Sequence, residues 1–457
     1  MMRTTAMKRI AALVLALALT LCAPAALADK ALKAGQRSQA VLELQERLIQ
    51  LGLLDGSADG IFGNATQSAV KEFQRCLKAN GYNVDVDGVA GNATQKYLYD
   101  DGIVQEVLTL EKGDRGDSVK QLQNRLYQLS FLLELPDGVY GDNTQKAVLE
   151  FQQYMAEQGA ANIQATGSAD AATRALLNQD LSGYGLTTPT SYSSGDPLSL
   201  GPGHLYARTC VLMDADTGEI LFEKRPDQQM YPASTTKIMT LMLALEALPL
   251  DKVVTIPKEA GQVPGDSSLV PVYAGEEMTV QDLLTGLMLR SGNDAANATA
   301  VLAAGTLDDF VAQMNARAAQ LGMVNTHFVN PHGYHDNQHY TSARDLAILT
   351  REALKNQDFV DIVSTLRYTM AATSKRGALS LSNSYAILNS ASSYYDQRAF
   401  GVKTGYTSLA GYCYVGAARS DGHTLIAVLF NAGQQKENKW TDAHRLFDYG
   451  FALLGQS

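Results

Sequence analysis

The chain has 457 residues, 46% of them hydrophobic, with 37 Lys+Arg against 47 Asp+Glu and a formal net charge of −10. That hydrophobic content excludes a wholly disordered protein, and the length suits about three domains. The acidic balance leaves no cationic footprint of the kind a nucleic-acid partner requires, so none is expected.

Residues 1–28 read as an export signal. Arg3, Lys8 and Arg9 precede an apolar run from Ile10 to Leu21, and Ala26-Leu27-Ala28 supplies a small–x–small cleavage pattern, with cleavage expected after Ala28. The apolar run of about 12 residues is short for ~30 Å of hydrocarbon. Cys22 raises a lipoprotein alternative, against which Leu21 stands where a small residue would be expected. Losing the three basic residues leaves 34 Lys+Arg against 47 acids, a net charge of −13. No later apolar run reaches 18 residues; Ile238–Leu250 contains Glu246 and Pro249 and reads as a core helix. The mature protein is therefore expected to be soluble and outside the cytoplasm. Cys76, Cys210 and Cys413 remain, an odd number without C-x-x-C or metal spacing; the last two lie in apolar runs and are expected to pack as small hydrophobes.

Internal repetition dominates the next 150 residues or so. Leu32–Gln74 lies on Leu110–Gln152 at a shift of 78 without a gap, bringing Leu44-Gln45, Asp59-Gly60, Gly63, Thr66-Gln67 and Phe73-Gln74 onto identical residues. A weaker tail continues with one inserted residue, placing Thr94 and Leu98 on Thr173 and Leu177. Val41, Leu44, Leu48 and Leu51 follow helical spacing, as do Ala69, Val70 and Phe73, with Asp-Gly turn chemistry between them. These residues resemble the peptidoglycan-binding type 1 domain, which implies two three-helix modules, 29–106 and 107–180, holding wall glycan. One departure stands out: Ala165-Thr166-Gly167 replaces the Asp-Gly turn seen at Asp87-Gly88, so the second groove is expected to differ. A pair of spacers that bind nothing is the alternative.

From 181 to 203 the chain is dense in Ser, Gly, Thr and Pro and reads as a linker. A different kind of domain follows over 204–457. Strands are expected at Thr209–Asp214 and Glu219–Glu223 around an Asp216-Thr217-Gly218 turn, and a long helix over Ser234–Leu248. A largely helical stretch fills 279–355. Strands return at Gly401–Lys403, Tyr412–Ala417 and Thr424–Asn431, and a helix over about 438–454 closes the chain. Strands at both ends around a helical middle imply an α/β domain, an antiparallel sheet flanked by helices with a helical lobe inserted.

This last segment carries Ser234-Thr-Thr-Lys237, Ser291-Gly-Asn293 and Lys403-Thr404-Gly405. About two S-x-x-K matches are expected by chance in a chain this long. The second one, Ser68-Ala-Val-Lys71, has Lys146 in place of its serine in the other repeat and reads as a surface helix. Ser234 opens an apolar helix, and Lys237 lies one turn on along the same face. A serine hydroxyl needs a base, and a lysine can serve only when neutral; burial and a nearby cation such as Lys403 both favour that form. Ser291 is suited to relay a proton to a leaving amine, and Asn293 to orient a substrate amide. Lys403 and Thr404 suit a terminal carboxylate, with Gly405 admitting the substrate backbone. Taken singly, each motif is also an ordinary helix cap, turn or strand end.

Together and in this order the motifs match the penicilloyl serine transferase superfamily. Tyr231–Thr240, Ser291–Ala296, Asn330-Pro-His-Gly333, Gly401–Thr407 and Ala410–Cys413 resemble the serine-type D-Ala-D-Ala carboxypeptidases of peptidase family S11, the low-molecular-mass penicillin-binding proteins. The resemblance implies that Ser234 attacks the penultimate D-Ala carbonyl of a peptidoglycan stem, with Lys237 as base and Ser291 and Asn293 as relay and orienter. Lys403 with Thr404 would anchor the carboxylate, and the backbone N–H groups of Ser234 and Tyr406 would form the oxyanion hole. It also implies inhibition by β-lactam antibiotics and no cofactor. Many relatives continue into a β-rich domain and a membrane-binding helix; the sequence ends at Ser457 after the terminal helix, so no C-terminal anchor is expected and the repeats would retain the enzyme on the wall.

Three rival readings fit parts of the same sequence. A β-lactamase needs a carboxylate to activate water, and the nearest candidate, Glu352, sits in a helical run at different spacing. A zinc peptidase is prompted by His327, His332, His335, His339 and Asp336, although His332 and His335 lie in a Pro/Gly-rich loop and not at i, i+4 on a helix. No feature favours a non-catalytic wall-binding protein. Preference for free stems or for crosslinks, the endopeptidase alternative, stays open at this level.

Overall fold

The computed structural model describes residues 31–455 except 55, 130, 133, 162, 182–183, 185, 187–194 and 434. The expected signal segment therefore lies outside the described residues, as does part of the expected linker. The chain divides into two compact units, Met1–Gln179 and Asp180–Ser457.

The first unit is helical: α1 Gln39–Gln50, α2 Asn64–Ala79, α3 Asn92–Leu98, α4 Asp101–Leu108, α5 Asp117–Leu129, α6 Asp142–Glu157 and α7 Ala171–Leu177. The residues picked out by helical spacing form its interior, with Val41, Leu44, Leu48, Val70 and Phe73 all at most 1% exposed. Short backbone bridges restate the repeat: Leu32 with Ala90 and Arg37 with Ile61 recur as Leu110 with Ala169 and Arg115 with Val139. The expected boundary at 106/107 falls inside α4, whose Val104, Val107 and Leu108 form an apolar face packed into the first repeat's core. Arg174 of α7, 7% exposed, donates from Nη1 to the Leu108 carbonyl at 2.9 Å. Neither repeat is thus sealed off from the other.

Each repeat is itself built twice, which the 78-residue shift conceals. Gln45 donates from Nε2 to Asp59 Oδ1 (2.9 Å), the Ile61 carbonyl (3.0 Å) and Thr66 Oγ1 (2.9 Å), while its Oε1 accepts from the Gly60 N–H (2.8 Å). Gln74 does the same with Asp87, Val89, Thr94 and Gly88. Gln123 does so with Asp137, Val139, Thr144 and Gly138. A buried amide with every polar atom engaged ties a helix to the following turn and to the start of the next helix. The fourth copy is the deviant turn. Gln152 bonds the Ser168 carbonyl, Thr173 and the N–H groups of Thr166 and Gly167, and Thr166 Oγ1 takes over the acceptance from the residue two places on (3.1 Å). Thr166 keeps the turn but gives Gln152 no carboxylate acceptor.

The second unit is built on an antiparallel sheet in the order β2-β1-β9-β8-β7. Its strands are β1 Thr209–Asp214, β2 Ile220–Lys224, β7 Ala399–Thr407, β8 Gly411–Ser420 and β9 His423–Phe430; two small hairpins supply β3 Val253–Thr255 with β4 Glu277–Thr279, and β5 Arg367–Met370 with β6 Leu379–Ser382. The inserted helices are α8 Lys237–Ala247, α9 Val280–Leu289, α10 Asn293–Ala304, α11 Leu307–Gln320, α12 Ala343–Ala353 and α13 Gln357–Ser364, and α14 Asn438–Leu454 closes the chain. Both sheet faces are covered, since every residue of β1 is buried. On one face Leu212, Tyr414, Leu425, Ala427 and Leu429 pack with Trp440, Leu446 and Phe447 of α14. A Cβ at Gly450 would lie 2.7 Å from Leu212 and Leu425, so α14 approaches the sheet as closely as glycine permits. The helices α8, α12 and α13 pack on strands of the same sheet, which leaves β7 at an edge beside the inserted lobe.

This core begins earlier than composition indicates. Leu200 lies within the expected linker, yet it is 7% exposed and packs with Leu205, Ala207 and Trp440, led in by short helical turns at Pro197–Ser199 and Pro202–His204. Proline and glycine signal turns, and turns can lie against a core as readily as in a tether.

Candidate active site

Three segments far apart in sequence meet beside the edge strand β7. The first is the turn ahead of α8. Where one long helix was expected, a 3₁₀ turn over Ala233–Thr236 precedes α8. Ala233 adopts φ +47°, a left-handed conformation that costs a non-glycine residue about 1–2 kcal/mol. Every residue from Met230 to Ala244 is buried except Ser234, which is half-buried, and Lys237 is fully buried. Lys237 Nζ donates to Ser234 Oγ at 3.1 Å, to Asn293 Oδ1 at 2.8 Å and to the His332 carbonyl at 2.8 Å.

The second segment joins α9 to α10. Ser291, at φ +57°, reverses the chain between the two helices and is partly exposed, and Asn293 opens α10 with 6% exposure. No hydrogen bond joins the Ser291 hydroxyl to Ser234 or Lys237 among the described residues. The Asn293 amide is engaged at both ends, by Lys237 and by Ser267 Oγ (3.1 Å), so it positions the lysine as well as facing the cleft. Its neighbour Asp294 accepts from the Val270 and Val272 N–H groups, both at 3.0 Å, and holds that wall in place. A Cβ at Gly292 would stand 2.4 Å from Val270 Cγ2, so only glycine fits between the wall and the turn.

The third segment is β7, paired with β8 so that Lys403 faces Val415, Thr404 faces Tyr414, Gly405 faces Cys413 and Tyr406 faces Tyr412. Lys403 is 3% exposed and donates to the Thr404 carbonyl at 2.9 Å; Thr404 is partly open, and Tyr406, 57% exposed, stacks on Tyr412 at 4.6 Å. A Cβ on Gly405 would lie 2.9 Å from the Ser234 nitrogen and 3.0 Å from the Pro232 carbonyl. The strand thus passes directly against the turn that carries Ser234.

Electrostatics follow from burial. Removal from water, reinforced by the Lys403 charge and opposed by Asp294, holds the Lys237 amine well below the ordinary lysine range. Burial brings Lys403 down to about 7. An amine whose charged form burial disfavours, within hydrogen-bond reach of a half-buried serine hydroxyl, can serve as base to that nucleophile, with no imidazole needed.

The histidines do not converge. His327 Nδ1 lies 2.6 Å from the Gln338 carbonyl, and His335 Nε2 lies 3.1 Å from Asn337 Oδ1. His332 Nδ1 accepts from the Tyr334 N–H (3.1 Å), and His339 Nδ1 accepts from the Val329 N–H (3.0 Å). Burial pushes both His332 and His339 down to about 3, so both rings are neutral. Among the described residues no group of three or more His, Cys, Asp or Glu side chains is placed to hold a metal ion. Glu352 pairs with Lys355 at 2.6 Å on α12, and Ser68 of the other S-x-x-K match is exposed on α2.

Several contacts went unnoticed in the sequence. Ser267 and Ser268 meet Asn293 through a side chain and a backbone carbonyl, Tyr334 donates to Asp266 at 2.9 Å, and Thr236 meets His339 at 2.8 Å. None carries a local periodic signal, and His339 stood out only as a possible metal ligand.

Comparison with known proteins follows this geometry. Residues 197–434 match the family described as D-alanyl-D-alanine carboxypeptidase, and 37–98 and 115–177 each match a peptidoglycan binding domain. A D-alanyl-D-alanine carboxypeptidase of Bacillus subtilis, DacF, is 34% identical over 285 residues, 61% of this chain and 71% of that protein. A D-alanyl-D-alanine carboxypeptidase of Streptomyces sp. is 37% identical over 251 residues, 53% of this chain and 86% of its own length. The crystal structure of the Streptomyces K15 DD-transpeptidase superposes with a TM-score of 0.50 at 33% identity, covering 58% of this chain and 99% of that one.

Proposed function

The chain belongs to the D-alanyl-D-alanine carboxypeptidase family, and from that premise we propose that it removes the terminal D-Ala of peptidoglycan pentapeptide stems through an acyl-enzyme on Ser234. The observation that carries the assignment is the hydroxyl of Ser234, the one residue of Met230–Ala244 that is not buried, held 3.1 Å from a buried lysine.

In this mechanism Lys237 takes the Ser234 proton as Oγ bonds to the penultimate carbonyl carbon. The developing oxyanion receives the N–H groups of Ser234 and Tyr406, an arrangement supported by the close passage of Gly405 against Ser234. The C–N bond to the last D-Ala breaks as Ser291 gives its proton to the leaving amine and takes in exchange the one held by Lys237, and Lys403 with Thr404 holds the carboxylate. Water then takes the acyl group and the Ser234 hydroxyl is restored. Asn293 keeps Lys237 aimed at Ser234 and turns its remaining amide hydrogen to the substrate. A β-lactam would acylate the same oxygen and remain there. The substrate lies in the wall, so the enzyme acts outside the cytoplasm; export by residues 1–28 and retention by the repeats belong to the same proposal.

Release of D-Ala from a peptide ending in D-Ala-D-Ala, measured in chelator, tests the assignment. Wild type should release it, and Ser234→Ala should lose about 10⁴-fold or more. Activity surviving in Ser234→Ala, or activity of wild type abolished by chelator, would sink the serine mechanism.

A further inference from the structure

We propose that His339 and Thr236 are positioning residues, a two-step hydrogen-bond relay that fixes the Ala233 carbonyl and so the turn presenting Ser234 to Lys237. The inference rests on Ser234 being the nucleophile.

Geometry determines the direction of every bond in the relay. The Val329 N–H occupies His339 Nδ1 (3.0 Å), so in a neutral ring the proton is on Nε2. Nε2–H therefore donates to Thr236 Oγ1 (2.8 Å), whose own hydrogen goes to the Ala233 carbonyl (2.9 Å). His339 is 2% exposed and Thr236 fully buried, so water has little access to replace either link. The carbonyl they hold belongs to Ala233, the residue immediately before Ser234, which is twisted into the left-handed region.

The loop carrying His339 is anchored to the same turn at several points. Met230 and Thr341 exchange backbone hydrogen bonds at 2.7 and 2.9 Å, while His327 and Tyr340, bonded at 2.8 and 3.0 Å, close the loop on itself. At Gly333 a Cβ would fall 1.8 Å from the Ala233 oxygen, so the loop backbone lies directly on the carbonyl that the relay holds. The loop also supplies the His332 carbonyl to Lys237. One segment thus sets the position of nucleophile and base together, and displacement of reacting atoms by about 1 Å costs on the order of 10²-fold in rate.

The test is steady-state D-Ala release by Thr236→Val, Thr236→Ser, His339→Leu and the Thr236→Val/His339→Leu double variant, with Ser234→Ala alongside. Thr236→Val should lower kcat by about 10²-fold with KM within about threefold, and Thr236→Ser should restore most of the rate. The double variant should be no slower than the slower single one, because both act through one carbonyl. Unfolding midpoints verify that equal amounts of folded protein are compared, and His339→Leu carries the same test if Thr236→Val does not fold. Wild-type kcat in folded Thr236→Val, or losses that multiply in the double variant, would overturn the relay. Inactive Ser234→Ala beside fully active Thr236→Val removes the relay alone, whereas active Ser234→Ala removes the nucleophile assignment.

Discussion

Lys403 and Lys237 are both buried, near enough for the Lys403 charge to act on Lys237, and their titrations set the working pH in opposite senses. Lys237 acts only after losing its proton, and its amine does so well below the ordinary lysine range, which gives a rising limb on the acid side of that range. Lys403 holds a carboxylate only while protonated, and burial brings its loss of charge down to about 7, which gives a falling limb. In the free enzyme kcat/KM should therefore decline as pH passes about 7, while kcat falls later because a bound carboxylate stabilises the Lys403 charge. Lys403→Arg, whose charge does not titrate, should abolish the falling limb whatever its absolute rate. A kcat/KM profile for wild type that stays flat from pH 6 to 9 would remove Lys403 from carboxylate binding. Both lysines were legible in the sequence as motif members; their ionisation was not, because desolvation comes from residues far along the chain.

At the scale of elements, the four glutamine clamps invite a comparison within one molecule. Three of them close on an aspartate, and in each the aspartate's own carboxyl is held below its usual range, first by the N–H two residues on. The fourth closes on Thr166 and lacks that acceptor for Gln152. Thr166→Asp should supply it, slowing amide hydrogen exchange of Gly167 and Thr173 by about fivefold near neutral pH. The sign of its pH dependence is fixed. A carboxyl with a lowered folded-state pKa stabilises above its unfolded value of ~4 and loses that contribution as pH falls through the folded value. The protection gained should thus vanish on acidification below that window; unchanged exchange at neutral pH would show that Ser168 and Thr173 already satisfy Gln152 fully. The deviant turn was visible in the sequence, but its consequence was not. A glutamine after a leucine or phenylalanine reads as a helix-surface residue until three distant partners are found around it.

For the whole molecule, the two units have separate interiors, one built on α1 to α7 and the other on the five-stranded sheet. Because Leu200 belongs to the sheet unit's core, a truncation that respects the fold starts near residue 195, ahead of the Pro197–Ser199 turn. That truncated enzyme should keep kcat/KM on a soluble peptide within about twofold and lose sedimentation with isolated cell walls. Unchanged sedimentation would assign wall retention to the sheet unit and leave the repeats as spacers.

By itself the sequence determined the class of chemistry and most of the elements. The three motifs, the 78-residue repeat, the strand Thr209–Asp214 and, within a residue at each end, the strand His423–Phe430 were legible because each is a local pattern, set by side-chain period, turn residues or short-range spacing. The exact start of the sheet unit, the role of α4 in joining the repeats and the doubling inside each repeat were not local. Only tertiary structure decided that Lys237 meets Asn293 across 56 residues, that Lys403 lies dry behind Thr404, and that His339 steadies the turn before Ser234. The physical reason is common to all three. A residue's ionisation and hydrogen-bond partners depend on what excludes water from it, and in this fold the excluding atoms come from segments that approach only when the inserted lobe packs beside the edge of the sheet.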